Sequence, residues 1–494
     1  MSWYLRISVN RDAPDSLADQ VVGQVKELIR EDVLRSGMRL PSSRQLADDL
    51  GVSRSVVVEA YQQLVAEGWL ASSQRSGTWV SHRLAPDLVA APANPGRPTP
   101  PAPPIVRWDL RIGGADVAGF PRREWLASMQ TTLRRAGRQD LDYPPVAGHP
   151  VLREELAQYL GRVRGVRGGK DQMMITAGFA QGLSLMCNLL RRLGIATIAL
   201  EDPGQPGHRA FVENIGLRVA AIPVDEYGID VTSLSNSDAR AVLVTPAHQF
   251  PTGAPLAPHR RQALLDWAER VDGLVIENDY DGEFWHDTDQ SLPSLQGMRP
   301  SRVVYGGTAS KTLAPGLRLG WLCVPAELVA ELEHTRERYD LGAGSMDQLA
   351  YADFVRTGRL DRHLRRMRSR YGSRLRTMTA VLSEHLPDVR VGGSAAGMHA
   401  YLRLPEYLDE RALVEAALRR RILVHGAAHF RLDGRMPDPA IVVGYATQPR
   451  SSLVEAIQLL AQAATVLLRQ SRQLPLPGLY ALSRRPANRL LTAT

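Results

Sequence analysis

Lysine is nearly absent from this chain. Of the sixty lysines and arginines in its 494 residues, only Lys26, Lys170 and Lys311 are lysine. Arginine therefore serves almost wherever a positive charge is enough. It cannot serve where an amine must lose its proton, because a guanidinium stays protonated in proteins while lysine can form a Schiff base. A compositional bias toward arginine accounts for the scarcity, but not for which positions keep lysine. Cysteine is scarce too: Cys187 and Cys323, both in apolar contexts, exclude a disulfide framework. No Cys/His grouping suggests zinc, so no metal is expected. There is no run of eighteen apolar residues and no signal-peptide pattern at Met1-Ser2-Trp3-Tyr4. No membrane partner is expected, and the cytoplasm is the expected compartment.

What is present points to more than one core. A chain of 494 residues exceeds what one simple core holds, so two or three domains are expected. The formal net charge of +8 invites a nucleic-acid reading. Its distribution qualifies that, since residues 1–83 carry ten basic and ten acidic side chains. The excess lies later, in Arg359–Arg376 and in an acid-free tail from Arg469. Residues 83–106 hold eight prolines, from Pro86 to Pro104, a composition that makes a semi-rigid linker and cannot build a core. The expected division is a small domain over 14–82, a linker over 83–106, a large domain over 107–470 and a basic flexible tail over 471–494.

In the large region, short apolar runs at Met173–Thr176, Ile195–Leu200, Ala241–Val244, Leu274–Ile276 and Val303–Tyr305 read as buried strands. Amphipathic stretches such as Ala180–Arg191 and Arg260–Arg270 lie between them. That alternation predicts an α/β fold with a mostly parallel sheet, whose ligand sits at the C-terminal ends of the strands. Polar clusters follow the strands directly: Thr176-Ala177-Gly178, Glu201-Asp202-Pro203-Gly204, Thr245-Pro246-Ala247-His248-Gln249, Asn278-Asp279-Tyr280 and Thr308-Ala309-Ser310-Lys311.

The N-terminal region reads as helix, turn and helix. Val21, Val25, Leu28 and Ile29 repeat at helical spacing. Ser42 caps a second helix, with Gln45 completing a capping box, and Gly51 ends it. Ser53 caps a third helix with Val57, Ala60, Tyr61 and Leu64 on one face. Arg54 and Ser55 then stand at the start of a recognition helix, and the segment Trp69–Val80 makes a wing. The run Leu40-Pro41-Ser42-Ser43-Arg44-Gln45-Leu46-Ala47 with Leu50-Gly51-Val52-Ser53-Arg54 resembles the winged helix-turn-helix of GntR-type bacterial transcription regulators. The resemblance implies contacts to a double-stranded DNA operator from Arg44, Ser53, Arg54 and Ser55, and from Ser76, Gly77 and Thr78 of the wing.

Lys311 lies among residues that suit pyridoxal phosphate (PLP) chemistry, which needs a lysine, phosphate donors and partners for the ring. Thr308, Ser310 and Arg318 flank it at spacings that can bring hydroxyls and a guanidinium to a phosphate. Gly178-Phe179-Ala180 opens a helix after a strand, so its backbone N–H groups can join them. Asn278 or Asp279 could face the pyridine nitrogen, and Tyr280 the ring oxygen.

Taken in order, these pieces resemble the fold-type I aminotransferase superfamily, as do Tyr143-Pro144-Pro145-Val146-Ala147-Gly148, Glu201-Asp202-Pro203-Gly204 and Gln249-Phe250-Pro251-Thr252-Gly253. A GntR-type winged helix joined to such a domain is the arrangement of MocR-type regulators. The resemblance implies PLP as cofactor, Gln249 among its contacts, a smaller C-terminal α+β subdomain, a head-to-tail homodimer, and an effector that is PLP, an amine or an amino acid. Three positions depart from the pattern. Asn278 stands where an aspartate is usual, Gln205 where tyrosine is frequent, and Val442 where an arginine holds the substrate carboxylate. They predict a regulator that binds PLP and transaminates poorly. The alternative is an active aminotransferase with an appended DNA-binding module.

Overall fold

The computed structural model describes residues 7–73, 77–81, 105–286, 292–432 and 438–473. The linker expected over 83–106 falls almost wholly outside these, as do the tail from residue 474 and the wing-tip residue Ser76. The described residues form two compact units, one on either side of residues 82–104.

The first unit has three helices, Leu17–Arg30, Ser43–Leu50 and Arg54–Ala66, followed by the strands Leu70–Ser73 and Gly77–Val80. Ser16 and Ser42 cap the first two helices by accepting from Asp19 N and Gln45 N. Gly51 ends the second at φ +63°, a left-handed conformation that glycine adopts without a Cβ clash. Val21, Val25, Leu46, Val57 and Leu64 close a single core. Tyr61 Oη donates to Pro41 O (3.0 Å), which ties the third helix to the start of the second. The two strands pair antiparallel from Leu70↔Val80 to Ser73↔Gly77.

The second unit is built on an eight-stranded sheet. Its order is Met173–Thr176, Gly320–Cys323, Val303–Thr308, Leu274–Asp279, Ala241–Val244, Thr197–Asp202, Arg218–Asp225, Gly228–Ile229. The pairings from Val303–Thr308 to Arg218–Asp225 are parallel; Gly320–Cys323 runs antiparallel to both neighbours. Successive side chains on a strand point to opposite faces. Leu243, Ile276 and Val304 therefore pack with Leu183, Met186 and Leu190 of the helix Phe179–Arg192. Val242, Val275 and Val303 pack on the other face with Leu264 and Trp267 of the helix Pro258–Arg270. Each such side chain contributes about 1.5–3 kcal/mol when fully buried. Covering both faces explains why the strands read as unbroken apolar runs.

A smaller α+β region follows. Its antiparallel sheet runs Arg390–Gly392, His399–Arg403, Ala440–Gly444, His425–Gly426, with the helices Arg359–His385, Glu410–Arg419 and Arg450–Gln473. The last helix is long and apolar enough over Arg450–Arg469 to cross a membrane. Here its face of Leu453, Ile457, Leu460 and Ala464 joins the core shared with Met378 and Leu382.

Most arginines of the Arg359–His385 helix have structural partners. Arg370 and Arg374 both reach Asp116 (2.9 and 3.0 Å), and Arg359 reaches Asp353 (2.7 Å). Arg362 and Arg365 face solvent.

Candidate functional site

The ends of the parallel strands meet at a cavity of about 240 Å³. Lys311, Thr308, Ser310, Arg318, Phe179, Ala180, Asn278 and Tyr280 all line it, brought together from four separate segments. The segments reach the cavity in different ways. Thr308 ends Val303–Thr308 and caps the short helix Ala309–Thr312 by accepting from Ser310 N (3.1 Å). That turn carries Lys311 into the cavity. Arg318 holds a left-handed backbone (φ +47°) after the turn Pro315–Leu317, unusual for a side chain with a Cβ.

The conformation of Arg318 brings its guanidinium over the turn at Gly178. Arg318 Nη2 donates to Ala177 O (2.6 Å). A Cβ on Gly178 would lie 3.0 Å from the same nitrogen, and φ there is +84°. A Cβ on Gly320, in the neighbouring strand, would meet the backbone of Gly178 at 2.8 Å. Glycine at both places lets the strand, the turn and the guanidinium close on one another. The helix Phe179–Arg192 begins here, so its first N–H groups and Arg318 form a positive cup.

Lys311 Nζ donates to Gly113 O, from the segment before the large domain's first long helix. Burial lowers the Lys311 pKa below the ordinary lysine value, and Asp281 opposes part of that shift. A larger neutral fraction makes the amine a better nucleophile.

Asn278 and Asp279 separate because neighbours on a strand face opposite ways. Asn278 lines the cavity, and its Oδ1 is buried without a hydrogen-bond partner. Asp279 lies on the other side, 2.7 Å from Arg164 Nε, and accepts from Tyr305 Oη (2.7 Å). Gln249 also stands outside the cavity lining. Its amide bonds to Pro203 O (2.9 Å) and Phe250 O (2.7 Å) and accepts from Thr252, bracing the loop. Of these two residues, only Asn278 faces the cavity.

Behind Tyr280 lies a pair that sequence reasoning missed. Tyr280 Oη donates to His248 O (3.1 Å), and His248 Nδ1 lies 3.0 Å from Asp281 Oδ2 and 3.1 Å from Tyr280 Oη. Burial raises the Tyr280 pKa well above the usual phenol value, so it stays a donor. His248 follows a strand directly, in the same polar cluster as Gln249, which was the available signal. His399 and Met398 also line the cavity but come from the smaller sheet, where nothing in the local pattern marks them. His248, Asp281 and His399 bring possible metal-ligand atoms within 4.8 Å of one another. Each ring has an internal partner: His248 has Asp281, and His399 Nε2 lies 3.1 Å from Pro251 O.

In the first unit, Arg44, Ser53, Arg54, Ser55 and Gly77 are exposed and Thr78 is half-buried. Ser53 occupies the N-cap position of the third helix, but its hydroxyl pairs with Ser55 Oγ (2.7 Å) instead of a backbone N–H. Arg54, the helix's first residue, stands beside that hydroxyl pair. The exposed helix start offers a cation, two hydroxyls and backbone N–H groups, a set suited to phosphates and base edges.

Residues 17–80 match the family of bacterial regulatory proteins of the gntR type, and residues 116–442 match aminotransferase class I and II. The HTH-type pyridoxine biosynthesis transcriptional regulator PdxR of Corynebacterium glutamicum is 33% identical over 91% of this chain and 96% of its own. The probable rhizopine catabolism regulatory protein MocR of Rhizobium meliloti is 30% identical over 96% of this chain and 99% of its own. Pyrococcus horikoshii kynurenine aminotransferase shares the fold with a TM-score of 0.67 at 23% identity, over 73% of this chain and 91% of that one.

Proposed function

The chain belongs to the MocR-type regulators of the GntR family, DNA-binding transcription regulators with an aminotransferase-like domain, and on that premise we propose that its second domain binds PLP and senses PLP itself, an amine or an amino acid. One observation carries the reading. Lys311, Arg318, Phe179 and Asn278, from separate segments, face a single cavity, with Gly178 packed against Arg318.

The residues fit the cofactor. Lys311 would hold it covalently. Arg318, Ser310, Thr308 and the N–H groups at Gly178, Phe179 and Ala180 would take its phosphate. Tyr280 would turn its hydroxyl from His248 O to the ring oxygen. The orphaned Asn278 Oδ1 marks a side-chain amide with an open polar contact at the cavity, since a buried acceptor left unpaired costs about 1–3 kcal/mol, and the same amide can donate to an unprotonated ring nitrogen. The cofactor, when bound, supplies an aldehyde that condenses reversibly with amines. Asn278 is neutral and cannot keep the ring nitrogen protonated by charge, and Val442 offers no carboxylate partner. Both favour sensing over transamination.

The DNA contacts assigned to Arg44, Ser53, Arg54, Ser55, Gly77 and Thr78 are part of this reading, as is work in the cytoplasm. Ser76 belongs with them by sequence and lies outside the described residues. An interface between two copies is supported by exposed apolar side chains on the second unit, among them Leu126, Leu133, Tyr143, Tyr339 and Leu341, and its head-to-tail arrangement is what the family resemblance implies. Effector binding would bias two arrangements of the dimer on its operator.

The test is the visible spectrum of the purified protein with added PLP, then borohydride reduction and peptide mapping. A yellow band trapped on Lys311 is expected. No band, or label on another residue, defeats the cofactor reading.

A further inference from the structure

The cofactor reading leaves open which amines can trade places with Lys311. The charges around the cavity narrow the choice. Among the described residues two cationic side chains line it, Lys311 and Arg318. Lys311 is the amine being displaced, and Arg318 is docked on the Gly178 turn through Ala177 O (2.6 Å). Arginines close to lining residues in the chain are held elsewhere. Arg111, before Ile112 and Gly113, pairs with Asp109 (2.7 Å). Arg209, after His208, pairs with Glu213 (2.8 Å) and donates to Leu432 O (3.2 Å). Arg431, before Leu432, donates to Asp202 O (3.5 Å). Among the described residues, a carboxylate entering this cavity would give up water and meet no uncommitted guanidinium.

Part of the wall is apolar. Val442 is fully buried and pairs across its sheet with Tyr401 and His425. It shares a cluster with Phe430 and Ala427, against which Ile112 and Phe250 pack. Ile112 and Phe250 then form the cavity surface together with Met398 and Leu432. The polar groups on this surface favour donors over anions. His399 Nε2 must donate to Pro251 O, because a carbonyl only accepts, so the neutral ring has an acceptor left at Nδ1. Burial holds the His399 pKa well below the usual histidine value, which keeps that ring neutral. Glu201 also lines the cavity, accepting from Thr245 Oγ1 (2.6 Å); burial pushes its pKa up to about 7, and in either protonation state it offers a carboxylate no cation.

We propose that the effector is a primary amine with an uncharged, apolar tail and no carboxylate, an alkyl- or arylalkylamine and not an amino acid. This rests on PLP being held by Lys311. In the exchange the incoming nitrogen forms the C=N bond as the bond to Lys311 Nζ breaks. The two amine hydrogens pass to Lys311, which leaves as a free amine, and nothing is oxidised.

The test uses the full chain loaded with PLP, after its visible band has been recorded. Matched pairs differing by the carboxylate alone are titrated: 2-phenylethylamine against phenylalanine, and pentylamine against norleucine. The spectral shift and the change in operator binding are both followed. The amine of each pair should half-saturate at a concentration about tenfold or more below its amino acid, since an unpaired buried charge costs at least that. Equal or tighter response to the amino acids overturns the proposal. So does a loaded protein that responds to neither. A protein with no band at the outset overturns the cofactor reading and this inference with it, and that failure is visible before any amine is added.

Discussion

Arg164 Nε stands 2.7 Å from Asp279 Oδ2, with the two side chains 2% and 1% exposed. Tyr305 adds its hydroxyl to the same carboxylate oxygen (2.7 Å). An aspartate one residue from the cavity is therefore a structural anchor on the far side of the sheet. Removing one partner of a buried pair leaves an uncompensated charge, which costs about 3–5 kcal/mol. Asp279→Asn should lower stability by about that amount in denaturant unfolding, while the folded fraction still takes up PLP. Unchanged stability with lost PLP binding would reverse the assignment of roles.

Asn278 makes the complementary prediction. Asn278→Asp puts a charged acceptor where a neutral one now faces the cavity. If the ring nitrogen lies there, the new charge-assisted bond should tighten PLP binding roughly tenfold and change the pH dependence of the visible band. Spectral titration reads both. Identical affinity and spectrum would place the ring nitrogen elsewhere.

The strands that carry the site were legible because both their faces are buried, which makes Ala241–Val244 and Met173–Thr176 unbroken apolar runs with the bounds observed. Strand ends were read less well. Leu274–Asp279 and Val303–Thr308 run three residues past their apolar stretches, since backbone pairing continues into the polar cluster. Arg218–Asp225 and Gly320–Cys323 had no such signal. The first has exposed residues along its length, and the second is short and begins with the glycine needed for close approach. Lys311 and Tyr280 could be named because each follows a strand in the expected order, and Arg318 because of its spacing from Lys311. Gln249 could not be separated from true lining residues, because the turn that absorbs its amide is built by Pro203 and Thr252. His399 reaches the cavity from the smaller sheet, a long-range contact that no local pattern encodes.

His363 connects pH to the lysine turn. Its Nε2 lies 2.8 Å from Thr312 O, one residue after Lys311, and burial pushes its pKa down from 6.5 to about 4. Above pH 6.5 the ring is neutral in both folded and unfolded chains, and its contribution is complete. Between 6.5 and about 4 the unfolded chain binds a proton that the folded chain refuses, so stability falls across that window as pH drops. His208, His286 and His425, also held down to about 4, act in the same direction. His363→Gln should therefore flatten only part of the loss. Unfolding measured from pH 7.5 to about 4 checks this: parallel curves for variant and wild type would show that His363 does not titrate with folding.

Arg54 and Arg365 separate two sources of DNA affinity. Arg54 is exposed at the first position of the recognition helix, beside the Ser53–Ser55 hydroxyl pair, where a phosphate or a base edge would lie. Arg365 is an exposed cation on the Arg359–His385 helix, several of whose neighbours are committed to Asp116 and Asp353. Removing one cation that neutralises a phosphate reduces the slope of log affinity against log salt by about one. Arg54→Ala should weaken operator binding roughly tenfold and flatten that slope by about one, whereas Arg365→Ala should leave both unchanged. The comparison needs no knowledge of the effector, because it concerns ion release alone. If Arg365→Ala flattens the slope as much as Arg54→Ala does, the second domain touches the DNA backbone. Its arginine-rich helix is then part of the reader, and the basic excess beyond the neutral N-terminal region acquires a function.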